Sequence, residues 1–84
     1  MQLEELRKEI DKIDEKLLLL LEERLEKAKQ ITEYKKENNI PETQKEREEE
    51  ILDKLTQLGK GKLRDEYIKN IFRQIIQESH KIKA

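Results

Sequence analysis

The sequence predicts an all-α protein of one long helix and two short ones, closing with a second copy as a homodimeric helical bundle. Three observations carry that expectation. Gln2 to Glu37 contains no glycine or proline and repeats apolar residues at three- and four-residue spacing. Strong breaks fall at Asn38-Asn39-Ile40-Pro41 and at Gly59-Lys60-Gly61, leaving two shorter periodic segments behind them. Leu17–Leu21 is a run of five leucines, and consecutive side chains on a helix point in five directions. A helix that is apolar most of the way round is buried from more than one side. A single domain of 84 residues has too little chain to supply all that cover, so a second copy is expected.

The first helix is expected over about residues 2–37, with Leu3, Leu6, Ile10, Ile13, Leu17, Leu20, Ala28 and Ile31 on one face. At 1.5 Å per residue it is roughly 50 Å long. Leu18 and Leu19 point away from that face. Asn38 and Asn39 tolerate the left-handed conformation that ends helices, and Pro41 prevents continuation. Thr43-Gln44-Lys45-Glu46 reads as a capping box opening a second helix over about residues 44–58. Ile51, Leu52, Leu55 and Leu58 should face inward there. Gly59 and Gly61 stop it, with Lys54 and Lys60 near its negative end. Asp65 is the expected N-cap of a third helix over about residues 65–81, whose apolar positions are Ile68, Ile71, Phe72, Ile75 and Ile76. Laid end to end, the two short helices match the long one, and a two-fold partner would cover the rest.

Composition removes several classes of function. Charged residues make up 46% of the chain, yet the net charge is −1. Nonspecific nucleic-acid binding needs a basic excess, so no nucleic-acid partner is expected. Cysteine is absent and His80 stands alone, which gives neither disulfides nor a metal-ligand set, and no cofactor is expected. The longest apolar run is five residues, so no membrane span is expected. With no signal peptide opening the chain, the expected compartment is the cytoplasm. The Lys/Glu richness suits a heat-adapted or a designed protein.

Function enters through polar residues set where the pattern asks for apolar ones. Arg24 falls on the core-facing stripe, and Lys35 follows it by eleven residues, three turns with about 20° of drift. Ser79 continues the stripe of Phe72, Ile75 and Ile76, and Lys83 lies one turn beyond. Arg47 and Glu48 sit one turn before Ile51 and Leu52. Cations on a core stripe are costly to bury unless something negative meets them. One polar cavity with a cationic surplus is therefore expected, and a small dicarboxylate fits it, since arginine pairs bidentately with carboxylates. Plainer readings exist at each position. Arg24 can snorkel to solvent or pair with an acid, Lys35 can serve the helix dipole, and Arg47-Glu48 can belong to a solvated face. Arg7 lies about 100° from the Arg24 direction and faces away from its own chain's cavity, although across a dimer it need not. Tyr34 and Tyr67 read as boundary packing, and His80 as pointing outward.

Leu6-Arg7-Lys8-Glu9-Ile10-Asp11-Lys12-Ile13-Asp14, the leucine run, Glu23-Arg24 and Lys35 together resemble the all-α chorismate mutases. So do Ile40-Pro41 followed by Glu46-Arg47-Glu48, and the closing Phe72-Arg73-Gln74-Ile75-Ile76-Gln77-Glu78-Ser79. The resemblance covers nearly the whole chain, and its specificity lies in the order and spacing of Arg7, Arg24, Lys35, Arg47-Glu48 and Ser79. It implies an intertwined helical dimer that rearranges chorismate to prephenate on the way to phenylalanine and tyrosine. It further implies that Arg24 grips one substrate carboxylate and that Arg7 reaches into the partner subunit's site for the other. Lys35 would bind a carboxylate and the ether oxygen of the breaking C–O bond. Glu48 would hold the ring hydroxyl, Arg47 would complete the cationic wall, and Ser79 would help place the substrate.

The chain departs from the family's pattern twice. Gln44 stands where the family often has Asp, and its backbone amide can make the contact. Lys83 aligns with a Gln that donates to the ether oxygen; a lysine also donates, but adds charge beside Lys35. The implied reaction is pericyclic and intramolecular, so it calls for no nucleophile, metal or proton shuttle. Catalysis then comes from holding the reactive conformer and from cations placed where charge develops. Three alternatives are an isochorismate–pyruvate lyase of the same fold, a regulatory module working with another shikimate-pathway enzyme, and a non-catalytic or designed dimerisation scaffold.

Overall fold

The described residues form three helices: α1 (Gln2–Glu37), α2 (Gln44–Leu58) and α3 (Asp65–Lys81). The computed structural model describes residues 2–41 and 44–81, with the side chain of Gln44 excepted, and contains no strand among them. The capping box at Thr43 therefore lies outside the described residues.

The local chemistry is visible at the end of α1, the end of α2 and the start of α3. Asn39 adopts φ 53°, the left-handed conformation that an L-residue other than Asn or Asp rarely accepts. Around it the amide of Ile40 donates to the carbonyl of Lys35 at 2.9 Å, and that of Asn39 to Lys36 at 3.4 Å. These are the paired bonds of a Schellman motif, and the Asn38 side-chain amide adds a third to the Tyr34 carbonyl at 2.8 Å. The α2–α3 turn uses Gly61 at φ 88°, where a side chain would be strained. Gly59 matters less and for a different reason: a Cβ there would meet the terminal Cδ1 of Ile68, which would have to shift. At the start of α3 the amide of Ile68 donates to the carbonyl of Arg64 at 3.2 Å. Arg64 thus holds the cap position expected of Asp65, which instead lies in the first turn beside Glu66, where acids suit the helix dipole.

α2 and α3 pack on each other, and the buried core is Leu52, Ile68 and Ile76. α1 contributes no buried residue. From Gln2 to Glu23 it is exposed throughout, whereas Arg24, Leu25, Ala28, Lys29, Thr32 and Lys35 are half-buried. Apolar residues of the expected stripes stay outside the core of the single chain, along α1 and at two positions of the shorter helices. Ile31 is exposed, and Thr32 takes the covered position, its hydroxyl donating to the Ala28 carbonyl at 3.1 Å. Leu58, at 72% exposure, and Ile71 also face solvent. Periodicity places residues on a stripe, but the neighbouring helix covers only the part of it that it reaches.

The molecule is elongated, 57 × 26 × 17 Å. Its radius of gyration is 16.1 Å, against about 12 Å for a compact chain of this length. It exposes 7717 Å², where a compact 10.2 kDa monomer exposes roughly 5300 Å². Much of the excess is apolar: Leu6, Ile10, Ile13 and the whole Leu17–Leu21 run lie in solvent on α1. No helix among the described residues is long and apolar enough to cross a membrane.

Candidate active site

The second half of α1 positions two cations. Arg24 projects toward α3, where its Nη1 donates to the Ser79 hydroxyl oxygen at 3.4 Å, joining residues 55 apart in sequence. Ser79 in turn donates to the Ile76 carbonyl at 2.7 Å. That second bond occupies the hydroxyl proton and leaves the oxygen free to accept from the guanidinium, so the orientation of the pair is set from the α3 backbone. Both residues line an open cleft of about 270 Å³ whose other walls are Leu21, Leu25, Gln74, Ile75 and Glu78. Its floor is apolar and its polar groups are few, the usual make-up of a small-molecule site.

Lys35 lines a second open cleft, of about 480 Å³, with Lys27, Gln30, Ile31, Tyr34 and Ile40. The Schellman turn explains its shape: Ile40 folds back over the last turn of α1, beside Tyr34 and Ile31. The same turn binds the Lys35 carbonyl, so the backbone carrying this ammonium is fixed at the very end of the helix. Eleven residues of helix separate Arg24 from Lys35, about 16 Å along the axis. Within the single chain Arg24 and Ser79 come together, while Arg24 and Lys35 line separate open clefts.

The other expected residues fall at defined places. Arg47 is exposed on α2 and donates to Glu50 at 3.2 Å, part of a solvated charge run in this chain. Glu48 beside it is half-buried. Arg7 is exposed on the bare half of α1, seventeen residues and about 26 Å of helix from Arg24. That interval is too long for Arg7 to serve the Arg24 cleft of its own chain. The side chain of Gln44, and Lys83 altogether, lie outside the described residues. Tyr34, read from sequence as boundary packing, lines the Lys35 cleft, and His80 is exposed.

Gln74 and Glu78 were not among the expected site residues, although they face Arg24 across the first cleft. Their i, i+4 spacing puts them on one column of α3, next to the column of Ser79. That adjacency was readable in the sequence, but nothing distinguished their column from the one on its other side. No group of three or more potential metal ligands occurs among the described residues.

Comparison with known proteins gives this geometry its context. The chain is 41% identical over 80 residues to a protein of Methanocaldococcus jannaschii named chorismate mutase, covering 95% of this chain and 81% of that one. It is 47% identical over 79 residues to the bifunctional chorismate mutase/prephenate dehydratase of Aquifex aeolicus, and 40% identical over 75 residues to that of Escherichia coli. Those alignments cover 89% and 88% of this chain but only 22% and 19% of the bifunctional proteins, about a fifth of their length. No solved structure matches the chain. Residues 6–84 match the family model described as chorismate mutase type II, and the chain therefore belongs to the type II chorismate mutase family.

Proposed function

We propose that the protein is a chorismate mutase that rearranges chorismate to prephenate at a site built across two copies of the chain. The observation that carries this reading is the Arg24–Ser79 pair, which sets a guanidinium over an apolar cleft in a chain of this family. Chorismate is a dicarboxylate, and Arg24 offers one carboxylate a planar, bidentate partner. The second carboxylate goes to Arg7 of a second copy. Two features support that assignment: Arg7 is out of reach within its own chain, and it sits on the apolar half of α1 that lacks cover. The excess exposed surface, about 2400 Å² per chain over a compact monomer, matches what an obligate homodimer buries. In such a dimer, the partner's helix turns two open clefts into the walls of one enclosed site.

Lys35 supplies the ammonium that meets the ether oxygen as the C–O bond lengthens. Its backbone is held by the α1 cap, which fixes the root of the side chain that carries the charge; electrostatic catalysis draws on charges positioned before the substrate reacts. Glu48 holds the ring hydroxyl, and Arg47 leaves Glu50 to complete the cationic wall. Ser79 fixes Arg24, the backbone amide of Gln44 meets the substrate near the start of α2, and Lys83 serves as a donor to the ether oxygen. The reaction is a rearrangement within one molecule. One C–C bond forms as one C–O bond breaks, and no atom is gained or lost. The protein's contribution is to hold the enolpyruvyl arm over the ring and to stabilise the developing oxyanion. Work alongside another shikimate-pathway enzyme is compatible with this reading, since several relatives are named for a prephenate dehydratase activity as well.

The test is direct. Purified protein is given chorismate, and loss of substrate and appearance of prephenate are followed; both are expected. Pyruvate released from isochorismate, with chorismate left intact, would assign the lyase chemistry instead. Turnover of neither substrate would leave a helical assembly module.

A further inference from the structure

Glu78 is the one acid among the described residues lining the Arg24 cleft. A carboxylate there works against the binding of a dianion, by repelling it and by competing for the guanidinium. Yet Arg24 donates to Ser79, while the Glu78 carboxylate is turned to Lys81, whose Nζ donates to Oε2 at 2.8 Å. Lys81 lies three residues on, in the last turn of α3, and is not itself part of the cleft wall. Gln74, one turn earlier on the same column, brings a neutral amide that places no demand on Arg24.

We propose that Lys81 is a positioning residue that sets substrate affinity through Glu78: by holding that carboxylate at the rim, it leaves Arg24 free for the incoming dianion. This rests on the reading of the cleft as a dicarboxylate site. When Lys81 holds it, the Glu78 carboxylate belongs to a pair that is close to neutral. Released, it is an anion on the same cleft as Arg24, and substrate must compete with it. The effect belongs to binding and not to the rearrangement, because neither side chain is asked to touch the ether oxygen.

Steady-state kinetics on the full chain separates the possibilities. Lys81→Gln is expected to raise KM for chorismate about two- to fivefold, the range of exposed ion pairs, with kcat unchanged. Lys81→Arg restores the parental KM. Glu78→Gln lowers KM, and adding Lys81→Gln to it changes nothing further, because the charge that Lys81 restrains is gone. Raised salt shrinks the difference between parent and Lys81→Gln. Both side chains are largely exposed, at 69% and 64%, so the variants are expected to fold, and circular dichroism checks this. A KM for Lys81→Gln equal to the parent's, or raised as much in the Glu78→Gln background, overturns the proposal while leaving the mutase reading intact. An inactive parent protein removes both.

Discussion

The two halves of α1 differ more from each other than α2 does from α3. Gln2–Glu23 carries most of the helix's large apolar side chains, yet every residue of it is exposed. Beyond it, the second half has few large apolar residues, and it alone is partly covered by its own chain, along Arg24, Ala28, Thr32 and Lys35. Hydrophobicity and burial thus run in opposite directions along one continuous helix. In a self-sufficient monomer they would run together. The first half is shaped for contact with another molecule. The second half holds cations in place over clefts that its own chain leaves open. On the dimer reading, the first half brings assembly energy and Arg7 to the neighbouring subunit, and the second half receives the neighbour's contribution.

Substitutions that strike one half only should break this division most clearly. Leu17→Glu with Leu20→Glu puts two carboxylates on the uncovered stripe and is expected to abolish both assembly and activity. Sedimentation and circular dichroism would show monomers or unfolded chains where the dimer reading expects folded dimers of the parent. Lys35→Ala acts on the other half and should leave assembly intact. Losing one positioned donor typically costs about 10²–10³ in kcat, with a smaller change in KM. Arg24→Ala, which removes a carboxylate contact and the tie to Ser79, should harm both parameters.

Smaller effects sharpen the picture of how the second half is held. Asn39→Val forces a β-branched residue into the left-handed region and should destabilise the protein by about 1–2 kcal/mol, whereas Asn39→Gly stays near the parent. Thermal unfolding of the pair measures the strength of the α1 cap. Gly59→Ala is the mildest change. Its new methyl meets only the flexible end of Ile68, so a loss of about 1 kcal/mol is expected by the same measurement.

Local chemistry made the helix ends legible in the sequence. Asn39 before Ile40-Pro41 and the Gly59/Gly61 pair leave the backbone few alternatives, and the described helices break where those residues stand. Arg24 and Ser79 were each legible as a polar residue interrupting an apolar stripe, and the contact between them came from the structure. What a stripe does not reveal is which part of it the same chain will cover. Ile31, Leu58 and Ile71 stand on the expected stripes, yet the single chain leaves them exposed. The separation of Lys35 from Arg24 into two clefts was hidden for a related reason. Helical phase aligns two residues in direction and says nothing of the wall needed to join them. Glu78 was unreadable as a cleft residue, since its column on α3 looks like any other charged one.

Mixing two inactive variants tests most directly whether the site is shared between chains. Arg7→Ala and Arg24→Ala are each purified, unfolded together in equal amounts and refolded so that subunits exchange. If Arg7 serves the partner's cleft, each mixed dimer has one site with both defects and one with neither. Random pairing then returns about a quarter of the parental activity from two nearly inactive proteins. An activity no higher than the mean of the two variants, with exchange verified by a mass tag on one of them, would place both arginines in the same chain's site and contradict the account.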